Sequence, residues 1–259
     1  MMVDTKTKFE ALIQEAQQAH FSGWDFSWLA GRVEFTQTPW DYRQLVIDYI
    51  EKSESLLDMQ TGGGEFLSQL PRRPLLTCAT ENYAPNIPIA KARLGSLGIK
   101  VYQSEDDGKS LPFNDNTFDL VTNRHGSFEP NELFRILQPG GIFLSQQVGP
   151  ANEIQLNQFL APEIAPTYSG DEYSFDFWLE ELKQAGFEVV RAEAAGLPCH
   201  YHDIGAVVYY LKAIPWQIPG FVCEENLDIM RELHNKIEVE GKFTTMEDRI
   251  LYIMRKPKE

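Results

Sequence analysis

The sequence predicts an α/β fold built on a mostly parallel sheet, and three observations carry that expectation. From residue 43 onward, short apolar runs of strand length alternate with segments whose apolar residues recur at helical spacing, the pattern of βαβ units. The first of those strands runs into an acid and then three consecutive glycines, "LLDMQTGGGEF" at 56–66. Open α/β sheets bind their ligands beyond such a strand end. Finally, 259 residues, 43% of them hydrophobic, suffice for one substantial core.

The elements follow in order. Residues 6–19 place Phe9, Leu12, Ile13 and Ala16 on one helical face. The segment 21–42 is dense in rings (Phe21, Trp24, Phe26, Trp28, Phe35, Trp40 and Tyr42) and reads as a cap packed on the core. The lining of an apolar pocket is the alternative. A helix at 43–52 precedes a strand at 55–59, and another helix starts near Glu65. Strands are expected at 75–80, 99–103 and 118–122, with a helix near 86–97 after the first of them. A short helix at 130–137 leads through Pro139-Gly140-Gly141 into a strand at 142–148.

Residues 149–171 hold Pro150, Pro162, Pro166 and Gly170 and read as a loop or lid. A helix at 174–185 carries Trp178, Leu179 and Leu182 on one face, with Gly186 as its C-terminal cap. A strand at 187–193 follows. The run 204–214 is assigned to helix because Asp203 is a plausible N-cap. A helix at about 225–239 and a final strand at 249–254 complete the chain. The organisation is one domain, 1–259: an N-terminal helical and aromatic cap (1–52), a core (53–148), and a C-terminal part (149–259) holding the lid loop, a substrate-side insertion and the last strands.

Composition excludes several classes. No charged start leads into an apolar leader and no apolar run reaches spanning length, so neither export nor membrane insertion is expected. The three cysteines, Cys78, Cys199 and Cys223, are far apart and form no CxxC, which fits a reduced, cytoplasmic setting. The formal charge is −15, from 23 basic and 38 acidic residues, the reverse of a duplex binder's balance. A small-molecule substrate is therefore favoured over nucleic acid. Cys199-His200-Tyr201-His202-Asp203 holds ligand types that suit zinc but lacks a second well-spaced ligand pair, so no metal is assigned.

A glycine turn after a strand permits positive φ and removes side chains, so that a ligand can touch backbone. A phosphate-cradling loop would need a Lys-Ser or Lys-Thr after its last glycine, and none follows. A dinucleotide turn would need a third glycine where Leu67 stands. The remaining pattern, acid-x-G-x-G-x-G, is met by Asp58-Met59-Gln60-Thr61-Gly62-Gly63-Gly64, with Gln60 in place of the first glycine. Glu81 closes the next strand 23 residues after Asp58, close to the ~20 residues that separate a ribose-binding acid from its glycine loop. Glu105, Asp106 and Asp107 cluster after the third strand, where an acid can accept from an adenine amino group.

The segments "LLDMQTGGGEF", "ATENYAPNIPIAKARL", "LPFNDNTFDLVTNRH" and "ELFRILQPGGIFLSQQVG" resemble, in order and spacing, the class I S-adenosylmethionine-dependent methyltransferases, most of all the methyltransferase type 11 group. The resemblance covers residues 55–148. It implies a Rossmann-like, seven-stranded, mostly parallel sheet with helices on both faces and an antiparallel last strand. It also implies S-adenosylmethionine as cofactor, with Asp58, Gln60 and the Gly62, Gly63 and Gly64 backbone at its methionine end and Glu81 on the ribose. Glu105 or Asp106 would approach adenine, and Asn123 would lie beside the cofactor. Pro139-Gly140-Gly141 is a structural turn in this family.

Methyl transfer needs alignment above all, and a base only where the acceptor must lose a proton. His125, after the fourth strand of the core, is the candidate base, with a purely structural histidine as the alternative. Two rivals to small-molecule methylation stand beside it. A methyltransferase acting on RNA or protein would present a basic face around Arg72, Arg73, Lys91 and Arg93. A non-catalytic cofactor-binding protein would tolerate Gln60 in the glycine turn.

Overall fold

The structure, a computed structural model, describes residues 5–104, 108–164 and 174–258. Among these residues eight strands form one sheet, in the order β1-β7-β8-β6-β5-β2-β3-β4. The strands are β1 (Val33–Phe35), β2 (Ser55–Met59), β3 (Leu76–Glu81), β4 (Lys100–Gln103), β5 (Phe118–Arg124), β6 (Leu137–Val148), β7 (Glu188–Tyr201) and β8 (Phe243–Arg255). β2 pairs in parallel with both β3 and β5, so chain direction along the sheet reverses between β2 and β5. That reversal is the crevice where open α/β sheets take ligands. β8 runs antiparallel to both β6 and β7, as the sequence led us to expect.

One correction concerns strand number. The sheet has eight strands and not seven, because Val33–Phe35 from the aromatic segment adds an antiparallel edge strand on β7. Three residues are too few to display a period of two, so sequence periodicity is blind to β1. A second difference concerns β7, which runs on to Tyr201. Along its final residues strand alternation sends Cys199 and Tyr201 into the interior, while His200 faces the other way and meets the Thr244 hydroxyl at 2.9 Å. Cys199 and His200 therefore cannot ligate one ion.

Helices flank the sheet: α2 (Tyr42–Ile50), α3 (Glu65–Ser68), α4 (Asn86–Gly95), α5 (Pro130–Ile136) and α7 (Phe175–Gln184). Alternate residues of the central strands feed two cores. Leu56, Leu120 and Leu144 pack with Val46, Ile50, Ala90 and Leu94 of α2 and α4. Leu57, Val121 and Phe143 pack with Leu133 and Ile136 of α5 and Leu182 of α7. A third core belongs to the cap. There α1 (Thr5–Gln18), α6 (Ile154–Leu160), α8 (Ile204–Ala213) and α9 (Leu227–Glu240) bury Phe9, Ile13, Leu156, Val207, Tyr209 and Leu233 together. Asp203 caps α8 by accepting from the Ala206 N–H at 2.9 Å, as its position before an apolar run suggested. The stretch 149–171 is not loop throughout: α6 lies in it, with Leu156, Asn157 and Leu160 buried, and residues 165–173 lie outside the described residues.

Candidate functional site at the strand ends

The site forms where β2, β3, β5 and β6 end. Asp58, buried near the end of β2, accepts from the Thr61 hydroxyl (2.7 Å) on one oxygen and from the Thr122 hydroxyl (2.7 Å) on the other. Burial raises its carboxyl above the usual range, and the two hydroxyls and nearby Arg124 pull it back. In this arrangement Asp58 ties the glycine turn to β5, which positions the turn.

The turn is held by Thr61 N–H donating to Thr80 O (2.9 Å) and Gly64 N–H donating to Thr61 O (3.0 Å). Gly62 and Gly64 have φ of 66° and 79°, the left-handed region in which a Cβ is penalised. The bareness of the triplet also serves the protein's own packing. A Cβ on Gly62 would strike the indole of Trp24, one on Gly63 would strike the Glu65 carboxylate, and one on Gly64 would lie 2.7 Å from Leu94 Cγ. The glycines thus seat three of the protein's own side chains against the turn, a role that no sequence pattern exposes.

Gln60 also takes a positive φ, 54°. Its side chain lies along Gly126, where a Cβ would collide with it, and both amide atoms are buried without a hydrogen-bond partner among the described residues. A buried amide left unsatisfied is costly. Its place, between the β2 and β5 ends, is where a polar ligand group would pair with it.

Glu81 ends β3 almost fully buried. One oxygen accepts from the Gly62 N–H (2.6 Å); the other accepts from the Asn82 (3.0 Å) and Tyr83 (2.8 Å) N–H groups. Burial raises its carboxyl, and these three donors oppose the shift. A carboxylate offers about four lone-pair sites, so roughly one stays open for a ligand hydroxyl. Glu105 and Asp106, the expected adenine partners, lie outside the described residues, as does Asp107.

Asn123 is wholly buried and builds the turn after β5. Its Oδ1 accepts from the Gly126 N–H (3.1 Å) and Gln147 Nε2 (2.9 Å), and its Nδ2 donates to Ser127 O (3.3 Å). His125 follows with φ of 64°, its N–H donating to Gln146 O (2.8 Å). His125 is exposed to solvent. Desolvation by the surrounding protein, then the nearby Arg249 and Arg124, push the imidazole well below its ordinary value, so it is neutral at pH 7. The Trp40 indole N–H donates to Gln146 Oε1 (2.8 Å) and thereby turns the Gln146 amide nitrogen toward His125 Nε2, 3.5 Å away. That polarity makes Nε2 the unprotonated nitrogen, by network assignment.

Part of the aromatic segment packs on the core, as the cap reading expects. Trp40 and Tyr42 are core, the Tyr42 hydroxyl donating to Asn123 O (3.3 Å). Trp24 sits on the glycine turn, 40% exposed. Elsewhere, a groove of about 260 Å³ between α1 and α9, lined by Phe9, Ile13, Leu227 and Arg231 among others, shares no residue with the strand-end site. No helix among the described residues is long and apolar enough to cross a membrane.

Comparison with known proteins finds methyltransferases. Residues 57–145 match the family described as "Methyltransferase domain". The ubiquinone/menaquinone biosynthesis C-methyltransferase of Idiomarina loihiensis is 25% identical over 154 residues, 52% of this chain and 61% of that protein. The demethylmenaquinone methyltransferase of Deinococcus radiodurans is 27% identical over 143 residues, 49% of this chain and 59% of that protein. The chain thus spans about six tenths of the length of these curated relatives. Among solved structures, a putative methyltransferase from Bacillus halodurans superposes with a TM-score of 0.59 at 19% identity, covering 84% of this chain and 99% of that one. At that identity the likeness shows the fold alone.

Proposed function

We infer that this chain, which belongs to the class I S-adenosylmethionine-dependent methyltransferases, moves a methyl group from that cofactor to a small-molecule acceptor by in-line displacement. The observation that carries the reading is the contact between Glu81 and the Gly62 N–H. It joins the ribose-acceptor candidate to the glycine turn beside the crevice between β2 and β5, inside the segment that matches the family.

The residues divide the work as follows. Asp58, through Thr61 and Thr122, fixes the turn relative to β5. The remaining acceptor site of Glu81 takes a ribose hydroxyl. The unpaired amide of Gln60 pairs with the polar amino-acid end of the cofactor. The cofactor's sulfonium supplies the methyl group and is already a good leaving group, so the protein's contribution is alignment. His125, neutral, accepts a proton at Nε2 from an acceptor that must lose one, displacing the long Gln146 contact.

A small acceptor is favoured over RNA or protein by the −15 charge. It is also favoured by what the basic residues do. Arg73 spends its guanidinium on the carbonyls of Leu67, Ser68 and Leu70, and Arg93 is committed to Glu65 and Gly63 O. The expected basic face is therefore partly consumed internally. A cytoplasmic setting is part of the same proposal, consistent with three buried free cysteines.

Calorimetry tests the reading. S-adenosylmethionine and S-adenosylhomocysteine are expected to bind and NAD is not. Glu81→Ala should cost about 1.5–3 kcal/mol of binding. Tight NAD binding, or undiminished affinity in the variant, would overturn the assignment.

A further inference from the structure

The turn Ser22–Asp25, between α1 and β1, is docked on the glycine loop by two complementary absences of side chain. Gly23 has φ of 64°, and a Cβ there would come within 2.7 Å of the Glu65 carboxylate; opposite it, Gly62 leaves room for the Trp24 indole. Glu65 is itself held by Arg93, which also grips Gly63 O. The turn is anchored from the cap side as well. Tyr209 of α8 donates its hydroxyl to Asp25 O (3.2 Å), and the Asp25 carboxylate accepts from the Ser27 N–H (2.8 Å).

The Trp24 ring is fixed in orientation by stacking on Phe26 (centroids 6.3 Å, interplanar 19°) and by an edge contact with Trp216 (5.9 Å, 77°). Despite those contacts Trp24 and Trp216 are 40% and 38% exposed, two adjacent large rings only half covered. The indole Nε1 would lie 3.1 Å from a Cβ on Gly62, so the N–H edge of the ring faces the turn. An oriented, half-covered ring with its donor edge at the rim of a glycine turn is placed to meet a polar group that approaches the turn. The group that approaches this turn in the proposed function is the amino-acid end of the cofactor, which carries a carboxylate.

We propose that Trp24 is a cofactor-binding residue: its indole N–H donates to the carboxylate at the amino-acid end of the cofactor, and its ring closes the groove over Gly62. This rests on the methyl-transfer reading above and adds to it a ligand contact supplied by the cap, from outside the segment that matches the family. Cofactor binding then holds the cap's N-terminal turn against the core, since one contact is made by each.

The test uses two ligands that share a nucleoside and a thioether. S-adenosylhomocysteine carries the amino-acid carboxylate; 5′-methylthioadenosine does not. Calorimetry is run with the wild-type protein, Trp24→Phe and Trp24→Ala. Trp24→Phe keeps a ring and removes the donor, and should weaken S-adenosylhomocysteine about tenfold while leaving 5′-methylthioadenosine within about twofold. Trp24→Ala removes the wall and should weaken both. Both ligands are measured on the same sample, so partial misfolding lowers both stoichiometries and leaves the ratio of affinities unchanged. Equal losses for the two ligands in Trp24→Phe, or none, would overturn the proposal while the methyl-transfer reading stands. A wild-type protein that binds neither ligand would instead overturn that underlying reading.

Discussion

Glu153→Gln should stabilise this protein in a pH-dependent way. Glu153 opens α6 with φ of 54°, is 1% exposed, and has one carboxylate oxygen without a hydrogen-bond partner among the described residues. Burial first, and the neighbouring Glu247 second, push its carboxyl up to about 8 from 4.5, against the opposing pull of Arg249. A carboxyl raised in the folded state binds its proton more tightly there than in the unfolded chain. Its contribution to stability is therefore complete below pH 4.5 and is lost as pH rises towards about 8. At about 1.4 kcal/mol per pH unit, the loss amounts to roughly 3 kcal/mol by pH 7 and about 5 kcal/mol above pH 8. Glutamine cannot ionise and escapes that loss. The stability difference, variant minus wild type, should climb by about 3 kcal/mol between pH 4.5 and pH 7, or roughly 5–10 °C in melting temperature for a chain of this size. Chemical denaturation followed by circular dichroism across that range measures it. A difference that stays flat with pH would mean that Glu153 ionises normally inside the fold, and the burial argument would fail.

Two further outcomes follow from the strand-end geometry. Gln60→Gly relieves a left-handed φ and removes an unsatisfied amide, yet it also removes a group assigned to the cofactor. Affinity for S-adenosylhomocysteine should stay level or fall by less than about tenfold, since a hydrogen bond is lost while loop freedom is gained; a tenfold gain by calorimetry would show that the natural turn is compromised. His125→Asn should lower kcat about 10²-fold for an acceptor that must lose a proton. In the wild type this activity should persist down through pH 6.5, because desolvation by the surrounding protein and the nearby Arg249 and Arg124 hold the imidazole below its ordinary value of 6.5. An unchanged kcat in the variant would reduce His125 to a structural residue of the turn.

The sequence is most legible where local rules and tertiary context agree. β2 was bounded to the residue, and Asp203 before Ile204 decided helix for a run whose apolar residues suit either element. Legibility failed where a segment's form depends on partners distant in sequence. β1 is only three residues long and becomes strand by pairing with the distant Cys199–Tyr201 end of β7, in the register Val33 to Tyr201, Phe35 to Cys199. α6 is hidden by the prolines on either side of it, and buries Leu156 and Leu160 in a core assembled from both ends of the chain. At the site, the glycine turn and Glu81 were readable as a spacing of residue types. That Trp24, Glu65 and Leu94 fill the space beside the three glycines was not, because two of those contacts come from outside the turn and its short helix.

The cap's core joins residues that precede the matched segment to residues that follow it, Phe9 and Ile13 on one side, Leu156, Val207, Tyr209 and Leu233 on the other. Such a cap is a clasp whose two halves are delivered separately, and neither half buries its apolar face without the other. Replacing this cap with that of a relative therefore means transplanting both halves as a matched pair. A graft of the later half alone would set foreign α8 and α9 faces against a resident α1, and the mismatch would be felt at the turn that α8 anchors over the glycine loop. The two ends of the chain are bound to change together in this fold.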